Sequence, residues 1–398
     1  MQLSQPVIDS ASAATQPAWS AVGAMTMCVA LLIAAEFMPV SLLTPIAHDL
    51  NATQGMAGQA IAVSGLFAVA TSLLIPALAR RHDRRHVLIA LTWAMLASLV
   101  LIAMAPNFAV LMLARALLGI TIGGFWALST ATVMRLVPSV AVPKALGLMY
   151  TGNAVAAAFA APMGSYFGAI IGWRATFWTL APLVLANLLW LAISLPSLPP
   201  DAKKSPVSVL GLLKRRHVAL AMAGAMLSFG GAFTSCTYFR PFLETYTQVR
   251  VPQLSMLLLG LGVAGFAGTY GATVLLGRHL YALLRWLPLA LGLATVLLLA
   301  VGHQLWGVAL ALAAWGALNA AIPVAWSTWL TRGVRDAPES GGGLMVAAIQ
   351  LSIMAGAALG GLLLDHLSVT ATLLGGAALL AMACLLVGNG SRLQAREP

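Results

Sequence analysis

The sequence predicts an all-α membrane protein with twelve transmembrane helices. Hydrophobic residues make up 61% of the 398 residues and charged residues only 8%, whereas charged residues are about 25% of a soluble domain. The 46 residues between Arg285 and Arg332 contain no Asp, Glu, Lys or Arg, and one bilayer-crossing helix needs only about 20 apolar residues. Because hydrocarbon cannot satisfy exposed backbone and the apolar runs lack two-residue alternation, helices are favoured over a barrel.

Polar breaks divide the chain into six spans, a hydrophilic linker and six more spans. The first six run from Ser20 to Leu43, Gly58 to Ala79, Val87 to Met104, Phe108 to Leu136, Val142 to Ile171 and Trp173 to Leu195. The second six run from Val218 to Thr245, Pro252 to Leu276, Ala282 to Val301, Leu305 to Trp329, Gly341 to Leu363 and Thr370 to Val387.

This division predicts two six-helix lobes around a central cavity. The lobes are residues 19–195 and 218–388, and the tails are residues 1–18 and 389–398. Between the lobes, residues 196–217 combine prolines with a cluster of Lys and Arg, which is typical of a linker rather than of a packed domain.

The basic residues predict the topology. If the N-terminus is cytoplasmic, the cytoplasmic segments hold 17 of the 21 Lys and Arg residues, as the positive-inside rule requires. We therefore expect both termini in the cytoplasm and a multi-pass protein of the bacterial inner membrane. The net charge of +11 follows this topology instead of clustering on a soluble element, so the expected partners are the lipid bilayer and a small-molecule substrate, not nucleic acid. We expect a monomer.

Two motifs resemble those of the major facilitator superfamily, over about Trp19 to Val387. The run RALLGITIGG from Arg115 to Gly124 resembles the fourth-helix signature of the superfamily's proton-driven antiporters. The loop RRHDRR between helices 2 and 3 resembles the superfamily's inner-loop signature, but Arg80 stands where the family has Asp and Asp83 where it has Gly.

Further segments resemble the purine ribonucleoside efflux pumps, which are close to the sugar efflux permeases. They run from Glu36 to Leu50, Gly123 to Ser129, Met134 to Pro138, Val142 to Leu146, Tyr238 to Pro241 and Trp326 to Arg332. The resemblance implies proton-coupled efflux of inosine- or guanosine-like nucleosides, with protons as the coupling ion and no cofactor. The alternative is a sugar or multidrug exporter of the same superfamily.

Glu36 and Arg115 are the ionisable residues well inside the predicted spans, where an unpaired charge costs about 2.5–3.5 kcal/mol or more. Their depths differ by about 3 Å at 1.5 Å per residue, and the resemblance implies that helices 1 and 4 line the same side of the cavity. We expect Glu36 to carry the proton and Arg115 to adjust its ionisation through pairing that is made and released. The alternative is a permanent ion pair that joins the two helices.

A neutral nucleoside requires aromatic faces and uncharged hydrogen-bonding groups. Intramembrane aromatic residues are also ordinary packing residues, and intramembrane amides also bond between helices, so each candidate has a structural alternative. The candidates for substrate binding are Trp126, Asn153, Phe229, Phe233, Trp315, Asn319, Trp326 and Gln350.

A third set of residues is expected to act in gating. Arg240 and Glu244 are one turn apart and are candidates for an outer clamp, with snorkelling of Arg240 as the alternative. Pro162 lies among glycines, where it either bends helix 5 or belongs to simple small-residue packing. The inner-loop candidates are Arg80, Arg81, Asp83, Arg84 and Arg85.

Other classes of protein fit the sequence less well. Phosphate-loop, HExxH and nucleophile-elbow motifs are lacking, so we expect no ATP-driven pump and no enzyme. The pairs His48–Asp49 and Asp365–His366 are too sparse for a metal site and are expected to be solvated at the membrane interface. A membrane-embedded enzyme and a sensor remain as alternatives, but one deep carboxylate does not supply an acid–base set.

Overall fold

The computed structural model describes residues 18–79, 81–138, 141–199, 209–334, 336 and 338–394. Within these residues twelve α-helices are present. The first six are α1 (Trp19–Asp49), α2 (Gln54–Ala79), α3 (Arg84–Ala103), α4 (Phe108–Leu136), α5 (Val142–Ile170) and α6 (Trp173–Ser194). The others are α7 (Arg216–Cys236), α8 (Phe239–Thr245), α9 (Val251–Ala300), α10 (Leu305–Gly333), α11 (Pro338–His366) and α12 (Val369–Val387).

Two helices differ from the predicted spans. The seventh span is divided into α7 and α8 by a break at Thr237 and Tyr238. Conversely, the eighth and ninth spans form one 50-residue helix, α9, which is interrupted only by the non-helical backbone of His279. The two halves of α9, residues 251–272 and 279–300, each have the length and apolarity of a membrane span. Within the described residues eleven segments have this length and apolarity, and α5, with 29 residues, is also long enough to cross a bilayer.

The buried apolar residues form two large clusters, one built from α1 to α6 and one from α7 to α12. The two lobes use the same packing scheme. In the first lobe α1 packs on α5, α2 on α4, and α3 on α6; in the second, α7 packs on α11, the first half of α9 on α10, and α9 on α12. Two pairings join the lobes, α2 with α11 and α5 with α9. Each lobe thus presents an equivalent pair of helices to the other.

We call the side of the bundle where α1 begins and α12 ends the termini face, and the other side the opposite face. Gln54, Val251 and Asp365 lie at helix ends on the opposite face, whereas Leu136 and Gly333 lie on the termini face. Short 3₁₀ turns at Leu210–Lys214 and Ser391–Leu393 lie next to the second lobe. Residues 200–208 of the expected linker lie outside the described residues.

Candidate functional site

Arg115 is buried at the centre of the first lobe with no exposed surface. Its Nε donates to the Ala60 carbonyl at 3.0 Å and its Nη1 to the Ala35 carbonyl at 3.1 Å, while Nη2 is buried without a partner. Gly119, one turn along α4, lies so close to the Ser64 backbone of α2 that a Cβ would meet the Ser64 oxygen at 2.2 Å. This close approach allows Arg115 to reach α2, so its guanidinium ties α4 to both α1 and α2.

Glu36 lies on α1 and is 4% exposed. Its carboxylate is close enough to interact with the charge of Arg115 and with the side-chain amide of Gln350 on α11. It forms no salt bridge with Arg115, although both residues are described. The expected carboxylate–guanidinium contact is therefore not made in this conformation, because Arg115 uses two of its N–H groups on backbone carbonyls.

Gln350 brings the second lobe to this site. It is buried, and its Oε1 has no hydrogen-bond partner. The Gln350 backbone also lies at the α2–α11 crossing, 3.0 Å from the point where a Cβ on Gly65 would stand. A carboxylate, a guanidinium and an amide from three helices and both lobes thus meet with unused hydrogen-bonding capacity, which a proton, water or a polar ligand can occupy.

Arg240 and Glu244 form the expected pair near the opposite face. Arg240 Nε donates to Glu244 at 2.7 Å, and the same guanidinium donates to the Ser41 carbonyl of the first lobe. The other Glu244 oxygen accepts from the Thr44 hydroxyl at 2.5 Å. Since Arg240 is only 7% exposed, it does not snorkel to solvent but holds α8 against α1.

A second carboxylate joins the lobes at the same face. Asp365, at the end of α11, accepts from the Thr53 hydroxyl at 2.5 Å and from the Gly55 amide at 3.0 Å. These groups begin α2, so a residue of the second lobe caps a helix of the first. Asp365 and His366 are exposed, as expected for a solvated pair, but Asp365 also bonds to the start of α2 in the folded bundle.

The other pair expected to be solvated also has protein partners. Asp49 forms an ion pair with Arg174 and accepts from the Trp173 indole at 3.0 Å. All three residues belong to the first lobe, so this contact does not join the lobes. Asp49 is nevertheless exposed, as expected for a solvated position.

The contacts between lobes lie in the half of the bundle nearer the opposite face. Among the described residues, the hydrogen bonds between lobes are those of Arg240, Glu244 and Asp365 just given and one from Gln59 to the Ala358 carbonyl. Phe37 and Phe233 pack across the same region with ring centroids 5.9 Å apart. The described hydrogen bonds thus join the lobes near the opposite face, which we call the closed face.

Two predicted substrate-binding residues lie in the core of the second lobe. Trp315 donates its N–H to Thr295 at 3.0 Å and packs edge-on against Phe239. Trp326 packs against Trp329 and against the backbone of Gly224. Both tryptophans are 1% exposed, so the prediction that they face a ligand is wrong for this conformation. Their side of α10 faces α7 and α9, not the space between the lobes.

The remaining candidates of the second lobe divide into buried and half-exposed residues. Phe229 and Phe233 on α7 are buried, and Phe233 is committed to the contact with Phe37. Asn319 on α10 is half-buried, and its amide makes no hydrogen bond in the described part of the chain. Asn319 is thus available to a ligand, whereas Phe229 packs in the core of the second lobe and Phe233 packs across the contact between the lobes.

In the first lobe Trp126 of α4 stacks on Tyr150 of α5, with ring centroids 6.0 Å apart and planes 25° apart. Asn153 is the second substrate-binding candidate of the first lobe. It lies on α5, one turn from Tyr150, and is half-buried. The sequence reasoning missed Tyr150, since a lone tyrosine in a span resembles an interface anchor. The three-residue spacing from Asn153, which places both on one side of a helix, was the available signal.

The loop between α2 and α3 holds the linker, not the second lobe. Asp83 caps α3 by accepting from the Arg85 amide at 2.8 Å, and it also accepts from the Ser197 hydroxyl at 2.5 Å and the Leu198 amide at 2.9 Å. Arg85 donates to the Ala192 carbonyl at 2.7 Å, and the Arg84 amide donates to Leu198. The partners named here belong to α3, α6 or the start of the linker, so these bonds attach the linker to the first lobe, and a gating role of the loop stays a prediction.

Electrostatics at Asp83 favour this arrangement. Burial raises the pKa of its carboxyl, but the hydrogen bonds from Ser197, Leu198 and Arg85 outweigh burial and hold the pKa below its usual value. Of the other two candidates in this loop, Arg81 is exposed and Arg80 lies outside the described residues.

Pro162 is buried within α5. Two residues further on, Gly164 lies against Met38 and Ser41 of α1, where a Cβ would meet the Ser41 hydroxyl at 2.4 Å. This close contact fits the small-residue packing alternative, while a role of Pro162 in gating stays a prediction.

Comparison with known proteins places this geometry in a family. The sequence model of the Major Facilitator Superfamily matches residues 25–342. The chain is 46% identical over 372 residues to a Pseudomonas aeruginosa protein named transcription regulatory protein OpdE, with 92% of each chain covered. It is 38% identical over 383 residues to the purine ribonucleoside efflux pump NepI of Salmonella paratyphi B, with 96% of each chain covered.

Solved structures with low sequence identity have the same fold. The crystal structure of a D-xylose-proton symporter matches with a TM-score of 0.76 at 15% identity, covering 93% of this chain and 97% of the symporter. A structure of the nucleoside transporter NupG matches with a TM-score of 0.74 at 13% identity, covering 92% of this chain and 100% of NupG.

Proposed function

Because the chain belongs to the major facilitator superfamily, we propose that it exports purine ribonucleosides in exchange for protons by alternating access. The family and the related transporters identify it as a transporter and not an enzyme. The observation that carries the proposal is Glu36, a buried carboxylate at the contact between the lobes, with Arg115 and Gln350 as neighbours.

The substrate class is proposed from the relative named as a purine ribonucleoside efflux pump, which aligns over 96% of this chain. Another relative is named as a transcription regulatory protein and aligns over 92% of both chains.

The proposed cycle begins from the conformation described above. The positive-inside rule supports a cytoplasmic termini face, and we propose that substrate enters between the lobes from that face. The opposite face is closed by Arg240, Glu244 and Asp365. Export then requires these contacts to separate while the termini side closes.

Glu36 can couple this movement to protons because its neighbours belong to both lobes. An ionised Glu36 is attracted by Arg115 and by the N–H groups of the nearby Gln350 amide, whereas a protonated Glu36 loses the charge that favours both interactions. Protonation therefore changes the free energy of the lobe contact. A ligand or a proton can shift a conformational equilibrium only through such a difference between two states.

Transport of labelled inosine in proteoliposomes tests the proposal. We expect counterflow above empty liposomes and faster transport under an imposed pH gradient. Glu36→Gln should retain counterflow but lose the response to the gradient, because the amide cannot take up a proton. Asp336→Asn is the matched control, since Asp336 is an exposed carboxylate paired with Arg215 on the termini face, and it should respond like the wild type.

The outcomes separate the two parts of the proposal. If inosine is not transported above empty liposomes, the nucleoside assignment fails. Competition by arabinose or by a lipophilic cation would then distinguish a sugar exporter from a multidrug exporter. If Glu36→Gln keeps the full response to the pH gradient, Glu36 is not the proton carrier.

A further inference from the structure

We propose that Trp126, Tyr150 and Asn153 form the subsite that binds the purine base, on the wall of the first lobe. This inference rests on the proposed function for its substrate class. The residues that carry it are two residues of α5, on the side between its contacts with α1 and α9, and Trp126 of α4, which stacks on Tyr150.

The side of α5 that carries Tyr150 follows from its neighbours. Gly152 lies against Thr26, so the side with Met149, Gly152 and Ala156 contacts α1. The Ala158 backbone lies against Gly262, so the side with Ala158 contacts α9 of the other lobe. At 100° per residue, Tyr150 and Asn153 fall between these two sides.

The remaining side of α5 faces lipid. Val155, Phe159 and Tyr166 lie there and are all exposed. Tyr150 is also 50% exposed, but it is on the other side of the helix, where the neighbouring space lies between the lobes. Tyr150 is eight residues, about 12 Å, from the start of α5, which is deeper than the headgroup level at which aromatic anchors lie.

The polar groups of this cluster are unused. Neither the Tyr150 hydroxyl nor the Asn153 amide forms a hydrogen bond within the described part of the chain. An amide within a membrane span normally bonds to another helix, so an unpaired amide beside an exposed ring is better suited to a ligand. An Asn side chain offers one acceptor and two donors, which matches the neighbouring donors and acceptors on the edge of a purine.

The second lobe lacks an equivalent aromatic surface among its described candidates. Trp315 and Trp326 are buried in its core, and Phe233 packs on Phe37. The Trp126–Tyr150 pair therefore remains as the stacking surface. The pair also lies closer to the termini face than Glu36 does. Tyr150 is about 12 Å from the start of α5, whereas Glu36 is 17 residues, about 26 Å, from the start of α1.

Binding of tritiated inosine to the purified full-length protein in detergent tests the subsite. Alanine substitution of a stacking side chain weakens binding of a base substantially, so Tyr150→Ala should raise the Kd for inosine about tenfold. Tyr150→Phe keeps the ring and should change the Kd by no more than about threefold. Asn153→Ala leaves the rings intact and should weaken inosine binding by about tenfold through loss of the amide contacts.

Tyr166→Ala is the matched control, since Tyr166 is a 53% exposed tyrosine on the lipid side of the same helix; it should bind inosine like the wild type. D-Ribose, which lacks the base, should compete equally weakly in the wild type and in Tyr150→Ala. If the wild type binds inosine but Tyr150→Ala and Asn153→Ala bind it as tightly as Tyr166→Ala, the pair serves packing only and the subsite is overturned. If the wild type does not bind inosine, the proposed function fails, and the subsite with it.

Discussion

Asp83, in the loop between α2 and α3, forms a contact that the family's loop motif does not provide. Its two carboxylate oxygens accept three hydrogen bonds, which cap α3 and attach the start of the linker. The family has Gly at this position, which has no side chain for such bonds. The linker is thus fastened to the first lobe at the termini face.

Asp83→Ala should release this attachment. Trypsin cleaves after Lys, and Lys203 and Lys204 follow Leu198 by only a few residues, so we expect cleavage of the linker to become several-fold faster. Ser197→Ala removes one of the three bonds and should give an intermediate rate. The measurement is the half-time of cleavage of the purified protein, and an unchanged half-time in Asp83→Ala would contradict the attachment.

The contribution of Asp83 also has a defined pH dependence. Because its pKa is held below the ordinary value of 3.8, the stabilisation is complete above that value and is lost as pH falls through the lowered pKa. The difference in thermal stability between the wild type and Asp83→Ala should therefore be constant from pH 7 to pH 5 and shrink below about pH 4.

At the scale of elements, the crossing of α2 and α11 depends on glycines. A Cβ on Gly58 would lie 2.0 Å from the Tyr238 hydroxyl. Tyr238 cannot move aside easily, since it is fully buried and donates to the Ala357 carbonyl at 2.7 Å. The contact of the lobes at the opposite face therefore requires glycine, which has no side chain, at position 58.

Gly58→Ala should shift the population toward conformations in which the opposite face is open. Overpacking of this kind costs about 1–3 kcal/mol, which is enough to change the population at least about fivefold. Spin labels at Asn51 and Leu367, both exposed at this face, measure the distance between the lobes. Gly260→Ala is the control, because nothing lies within 4 Å of its added Cβ. Identical distance distributions in the two variants would show that the crossing tolerates the methyl group.

At the scale of the whole molecule, two carboxylates of the second lobe accept hydrogen bonds from the first lobe. Glu244 accepts from Thr44, and Asp365 accepts from Thr53 and from the start of α2. The equivalent helix pairs in the two lobes make the bundle nearly symmetric, but these polar contacts lie at one face only. The closed state of that face thus depends on a few replaceable bonds.

Asp365→Ala should weaken the closed state by about 1 kcal/mol, the usual value of a helix cap, and so change its population about fivefold. The matched control is Asp49→Ala, which removes a carboxylate at the same face whose partners are within its own lobe. Accessibility of a cysteine at Gln59, next to the lobe contact, measures the opening from that face. Equal accessibility in Asp365→Ala and Asp49→Ala would exclude Asp365 as a contact that controls opening.

The sequence by itself determined the membrane spans and the burial of Glu36 and Arg115. Hydrocarbon forces a long apolar run to form a helix whatever its neighbours are, and a charge within such a run must turn away from lipid. It also indicated the Arg240–Glu244 pair, since residues four apart share a helix side.

Only the tertiary structure decided what each side chain faces. Trp315 and Trp126 are equivalent as residues in apolar helices, yet one lies in the core of a lobe and the other beside Tyr150. Likewise, Arg115 bonds to backbone carbonyls instead of Glu36, and Asp365 bonds to a helix 310 residues away in sequence. These choices depend on how helices distant in sequence rotate and cross. In an apolar run with little periodic polarity, the sequence does not specify that rotation.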